Sequence, residues 1–207
     1  TPIKSSAASD VYKRQIYDRA RTPILPGQIE YDNEDGYYNL GSWEGNPIDS
    51  FASMITGIHV KNVTICGKGV LDGRADFENW WSRPKDKIRA WRPRMIFLNH
   101  CENITVVGVT VQNSPAWNLH PYFSNQIRFL DMEVKGPANS HNTDGCDPES
   151  CTNVEIAGVH FSVGDDCIAI KSGKIYMGKK FKVPSKHIHI RPVSYTHLRA
   201  HETRGNL

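Results

Sequence analysis

One unit recurs along the middle of this chain: a polar residue, often Asn, then a short alternating apolar strand, often a Gly, then a second strand. It stands at Asn62-Val63-Thr64-Ile65-Cys66-Gly67, and again over Asn103-Ile104-Thr105-Val106-Val107-Gly108-Val109-Thr110-Val111. Further copies open at Asn125-Gln126-Ile127, at Asn153-Val154-Glu155-Ile156-Ala157-Gly158 and at His187-Ile188-His189-Ile190. Asn103 to Asn125 spans 22 residues, Asn125 to Asn153 spans 28, and His187 follows 34 later. Periods of this size, with alternating strands and no helical stretch between them, point to a solenoid in which each unit buries its apolar residues against its neighbours. The expected fold class is all-β, a right-handed parallel β-helix, with connecting loops of variable length on one side.

The length of 207 residues, 39% hydrophobic, suits one domain with a real core. Apolar runs are strand-sized, too short to span a membrane. Residues 1–15 and 192–207 lack the alternation of the middle and resemble translated sequencing-adapter read-through. The expected organisation is therefore a non-native leader (1–15), a partial β-helix (16–191) and a non-native tail (192–207). The two ends carry Lys4, Lys13, Arg14, Arg199 and Arg204 against Asp10 and Glu202, which accounts for the whole formal charge of +3. The middle is then neutral, and nucleic-acid binding has no support from charge. His197 and His201 have metal-ligand spacing but fall in the suspect tail. Five cysteines fit neither a dense disulfide scaffold nor a zinc spacing; most read as small buried residues, with a Cys146–Cys151 bridge the minor alternative.

Two acidic motifs lie about one coil apart: Asn142-Thr143-Asp144-Gly145 and Gly164-Asp165-Asp166-Cys167. Glycosidic hydrolysis needs a protonated carboxyl for the leaving oxygen and an ionised one for water on the opposite face of the sugar. Crowded carboxyls push one another's pKa values apart and so can hold both states. Adjacent residues of a regular strand point to opposite faces, so Asp165 and Asp166 reach one groove only where the backbone bends, as Gly164 permits. Downstream alternation assigns Ile168 and Ile170 to the core and Lys171 outward. Excursions at 74–87 and between Ser172 and Ser185 read as loops beside a groove. Trp80 and Trp81 either stack on a sugar or, the commoner role of paired loop tryptophans, plug the loop onto the body.

With Asn113-Ser114-Pro115-Ala116-Trp117 and His120-Pro121-Tyr122, these motifs resemble family-28 glycoside hydrolases, the polygalacturonases, especially bacterial exo-acting ones. The resemblance covers roughly Trp43 to Arg191. It implies a right-handed parallel β-helix and inverting hydrolysis of α-1,4 galacturonosyl links, with Asp165 as general acid and Asp144 and Asp166 holding and deprotonating the water. His120, Asn142 and Lys171 are the expected substrate-binding residues; no cofactor and no metal is expected. The family's later Gly-His-Gly and Arg-x-Lys motifs have no counterpart here, so the chain is expected to be a fragment of a longer enzyme, its own activity open.

The bland reading of the aspartates is polar turn residues. A Ca²⁺-dependent pectate lyase on the same fold would use Asp144, Asp147, Glu149, Asp165 and Asp166 as oxygen ligands, and a non-catalytic β-helix would bind carbohydrate without cleaving it. The expected partner is a pectic polysaccharide or oligogalacturonide, with no nucleic acid and no membrane. Such polymers lie outside the cell, so the parent protein is expected to be extracellular or periplasmic.

Overall fold

A computed structural model describes residues 22–27 and 41–196. The expected leader at 1–15, together with His197 and His201, lies outside the described residues.

Among the described residues three parallel sheets stack the coils, two of five strands each and one of three strands that single bridges extend, as a right-handed parallel β-helix. The longest strands are Lys61–Cys66, Glu102–Val107, Asn125–Leu130, Thr152–Ala157 and Lys186–Arg191. A second sheet holds three-residue strands: Val70–Asp72, Thr110–Gln112, Glu133–Lys135, His160–Ser162 and Ser194–Thr196. The third contains Ile55–Ile58, Ile96–Asn99 and Leu119–Tyr122, and single bridges extend it through Cys146 and Glu149 to Ile168 and Lys171. Ser194–Thr196, within the tail expected to be foreign, pair in parallel register with His160–Ser162.

Register converts the period-2 pattern into rows of like residues. Val63, Ile104, Ile127, Val154 and Ile188 stack in one row, and Leu71, Val111, Val134, Phe161 and Tyr195 in another. Such rows form the interior, where Ile104, Ile127, Phe129, Val154 and Phe161 have at most 1% of their surface exposed. Row ends are more open. Ile170, expected in the core, is 53% exposed because no described coil stacks over the level it shares with Ile168 and Lys171.

The polar residue of the repeat occupies a left-handed backbone position at Asn62, Asn103, Gln126, Asn153 and His187, with φ between 53° and 59°. The repeat glycines Gly67, Gly108 and Gly158 also have positive φ, which a residue without Cβ adopts without strain. In the third copy the turn falls on Gln126, one residue after the Asn that the spacing selects. Side-chain amides link some coils: Asn103 Nδ2 donates to Asn62 Oδ1 at 2.7 Å and Asn153 Nδ2 to Asn125 Oδ1 at 3.0 Å.

Both excursions pack down. Trp80 and Trp81 are buried with Phe51 and Ala75, and Trp81 Nε1 donates to the Ser114 carbonyl at 3.2 Å, so they plug the loop onto the body. The second excursion contains a helix, Lys174–Phe181, where no helix was expected. Its buried Met177 packs with Phe97 and Tyr122 on the outer face of the third sheet. The antiparallel hairpin Ser42–Trp43/Asn46–Pro47 covers the neighbouring part of that face, and Met177 N donates to Gly45 O at 3.2 Å. All five cysteines are free thiols; Cys146 and Cys151 are buried without a bridge between them.

Candidate active site

Hairpin, helix and third sheet border an open cavity of about 440 Å³, lined among others by Trp117, Asn142, Asp144, Asp165, Asp166 and Lys171. The two acidic motifs meet there because consecutive coils stack. Gly145 N donates to Asp166 O at 2.7 Å, and Gly164 N to Thr143 Oγ1 at 3.2 Å. Asn118 holds the first motif from the coil below, its Nδ2 donating to the carbonyls of Thr143 and Asp144. Residues 163–167 are bent rather than a regular strand, so Asp165 and Asp166 both border the cavity. A Cβ on Gly164 would lie 2.4 Å from the Ser140 carbonyl oxygen, so the bend has room for glycine alone.

Beneath the cavity lies a set of charges that the motifs do not announce. Asp147 and Glu149 are fully buried, and Arg94 is 1% exposed. Lys171 Nζ sits 2.9 Å from Asp147 Oδ1, 3.7 Å from Asp144 Oδ2 and 4.6 Å from the centre of the Trp117 ring. Arg94 lies over the Trp43, Phe97 and Trp117 rings at 5.3–5.5 Å, and its guanidinium donates to the Ser42 carbonyl. Arg92 donates to the carbonyls of Pro115 and His141, each at 2.7 Å, and to Asn142 Oδ1 at 2.8 Å. With its oxygen so engaged, the Asn142 amide has its NH₂ left for other partners.

Burial dominates the proton chemistry. It pushes the Asp144 carboxyl up to about 9, with Asp147 adding to the push and Lys171 opposing it. Burial raises Asp147 to about 6 against the pull of Lys171, and Glu149 to about 7 against Arg94 and Lys171. Lys171 is desolvated, yet Asp147, Asp144 and Glu149 outweigh that and hold its ammonium above the ordinary lysine value. Burial, then Arg94 and Lys171, keep the His120 imidazole neutral.

Of the six expected site residues, Asp144, Asp165, Asp166, Asn142 and Lys171 border one cavity. His120 does not. It is 0% exposed beneath the floor, its ring edge-on to Trp117 at 4.9 Å and its Nε2 3.0 Å from Glu149 Oε2. The strand Leu119–Tyr122 does turn His120 away from the interior, but hairpin and helix cover that outer face. Sequence reasoning gave no hydrolase role to Arg92, Arg94, Glu44, Asp147 or Glu149. The signal available was Trp91-Arg92-Pro93-Arg94-Met95-Ile96-Phe97-Leu98, two arginines opening a continuous apolar run, where charge is rare unless paired. No group of described residues has the arrangement of a metal site.

Coils of parallel strands carrying a carboxyl-lined cavity on one face define a parallel β-helix with an acidic site on its outer surface. The family model for Glycosyl hydrolases family 28 matches residues 36–187, and the chain belongs to that family. It is 37% identical over 143 residues to a probable polygalacturonase of Vitis vinifera, covering 68% of this chain and 29% of that protein. It is 33% identical over 156 residues to an endo-polygalacturonase of Pectobacterium carotovorum subsp. carotovorum, covering 70% and 38%. Among solved structures, the exopolygalacturonase of Thermotoga maritima superposes with TM-score 0.63 at 29% identity, over 72% of this chain and 42% of that one. The chain thus spans about a third of the length of these curated relatives.

Proposed function

We propose that this chain carries the catalytic face of an inverting hydrolase acting on α-1,4-linked galacturonan. The observation that carries the reading is the convergence of Asp144, Asp165 and Asp166 on one cavity from two stacked coils. Neighbouring coils suit inversion, which separates the acid from the water-activating base by about 6.5–9.5 Å. Asp165 donates its proton to the leaving oxygen, while Asp166 and Asp144 hold and deprotonate the water. The raised Asp144 requires that its proton be elsewhere when it acts as base, and Asp147 is the neighbouring carboxyl to take it. Asn142 offers its amide NH₂ to a polyanionic sugar. His120 acts from below, as a fixed neutral partner of Glu149. A galacturonan lies outside the cell, which places the parent protein in an extracellular or periplasmic setting; no described helix is long and apolar enough to cross a membrane.

The test is incubation with polygalacturonate, following reducing ends, ultraviolet absorbance and the anomer first released. The reading expects new reducing ends in the β-anomer and no unsaturated chromophore, with Asp165→Asn lowering the rate by at least about 10²-fold. An absorbing unsaturated product would instead make it a lyase, and binding without cleavage would remove the enzyme claim.

A further inference from the structure

Asp147, which none of the proposed steps needs in contact with sugar, is fully buried. Apart from the Lys171 ammonium, its two oxygens meet no donor if every acid nearby is ionised. Its carboxyl also stands within hydrogen-bonding reach of the Asp144 carboxyl. Two carboxylates cannot bond to one another, but a carboxylic acid and a carboxylate can, so the pair closes when it holds one proton. Lys171 decides where that proton rests, because an ammonium stabilises the nearer carboxylate more. It is 2.9 Å from Asp147 and 3.7 Å from Asp144. The other charged or titratable groups around the pair are Arg92 and His120 below, the Cys146 thiol on the core side, Asp165 and Asp166 across the cavity, and the Glu44–Lys174 ion pair at the rim.

We propose that Lys171 is a positioning residue, bound to the acids rather than to substrate, which keeps Asp147 ionised and places the single proton of the Asp144–Asp147 pair on Asp144 at the cavity wall. Asp147 then serves as the site to which that proton withdraws when Asp144 takes one from water: the O–H bond of Asp144 breaks, one forms on Asp147, and Asp144 is free to accept the proton of the attacking water. This inference rests on the hydrolase reading for its role in turnover, whereas the proton's position is a property of the resting protein.

The experiment separates the two. Carboxyl ¹³C NMR titration of aspartate-labelled protein is run on the wild type and on Lys171→Gln, Lys171→Arg and Asp147→Asn, beside polygalacturonate hydrolysis across pH. Lys171→Gln is expected to move the ionisation of the pair up by at least about one pH unit, a tenfold change, with Lys171→Arg restoring it. Asp147→Asn, which removes the neighbouring charge and supplies an amide donor, is expected to move Asp144 down. In turnover, Lys171→Gln should lower kcat, leave KM within about twofold and shift the acidic limb upward. Titrations unmoved in both Lys171→Gln and Asp147→Asn overturn the inference, as does a KM raised about tenfold with an unmoved titration, the signature of a lysine that grips substrate. A wild type that titrates as expected yet cleaves nothing retires the hydrolase reading and leaves the proton assignment standing.

Discussion

Asp144, Asp147 and Glu149 are carboxyls that folding removes from water, and burial holds them up to about 9, 6 and 7. An acid raised on folding contributes stability that is fully present below its unfolded value near 4 and is lost as pH climbs through the folded value. His120 and His100 run the other way. Burial lowers both, His100 to about 4, so their contribution is present above about 6.5 and fades as pH falls. The two effects oppose each other below 6.5, and above it Glu149 and Asp144 act without that opposition. The melting temperature is therefore expected to fall between pH 6.5 and 9 by several degrees, at about 2–4 °C per kcal/mol for a chain of this size. In Asp144→Asn the slope should flatten, and a slope unchanged by that substitution would dissociate it from this carboxyl. Asp144, Asp165 and Asp166 were legible because turn and acid occur together in short motifs. Arg94, Asp147 and Glu149 were not, because their roles arise when hairpin and helix bury the outer face of the third sheet, a contact between segments remote in sequence.

At the scale of elements, the left-handed turn position is the device that repeats, and its occupants are unequal. Asn and Gly adopt φ near +55° at little cost, whereas a longer unbranched residue pays part of the roughly 1–2 kcal/mol left-handed penalty. Gln126, at φ 56°, sits between Asn103 and Asn153 in register. Gln126→Asn is expected to stabilise the protein by about 0.5 kcal/mol, read as a higher urea midpoint with an unchanged m-value; a midpoint that falls would show that the glutamine makes a contact worth more than its backbone strain. The strands were legible from alternation and the copies from their polar openings, yet the third copy was off by one residue because Asn125 is the more conspicuous turn former. The helix Lys174–Phe181 was illegible for a different reason. It buries Met177 alone, so no apolar stripe marks it, and it is held through Gly45 and the Glu44–Lys174 ion pair, contacts with a hairpin about 130 residues earlier.

For the molecule as a whole, the stacked rows make stability close to a sum over neighbouring coils, so a core residue counts by how many coils it touches. Ile127 and Ile65 separate that effect from chemistry. Ile127 is fully buried between Ile104 and Val154, while Ile65 pairs with Val106 on one side and is half-buried among the described residues. Truncating Ile127 opens a void that two coils border, and neither can close on it without breaking register. Ile127→Ala is expected to cost about 3–5 kcal/mol, near the upper end for aliphatic truncation, and Ile65→Ala about 1–2 kcal/mol, where solvent and relaxation reach the gap. Urea midpoints check the difference, and hydrogen exchange locates it: Ile127→Ala should expose amides of the coils on both sides, Ile65→Ala those beginning at Lys61–Cys66 alone. Equal costs would mean that the coils melt as one cooperative block. In that case the cavity that Asp144 and Asp165 share across two coils would owe its geometry to the whole solenoid rather than to the pair that builds it.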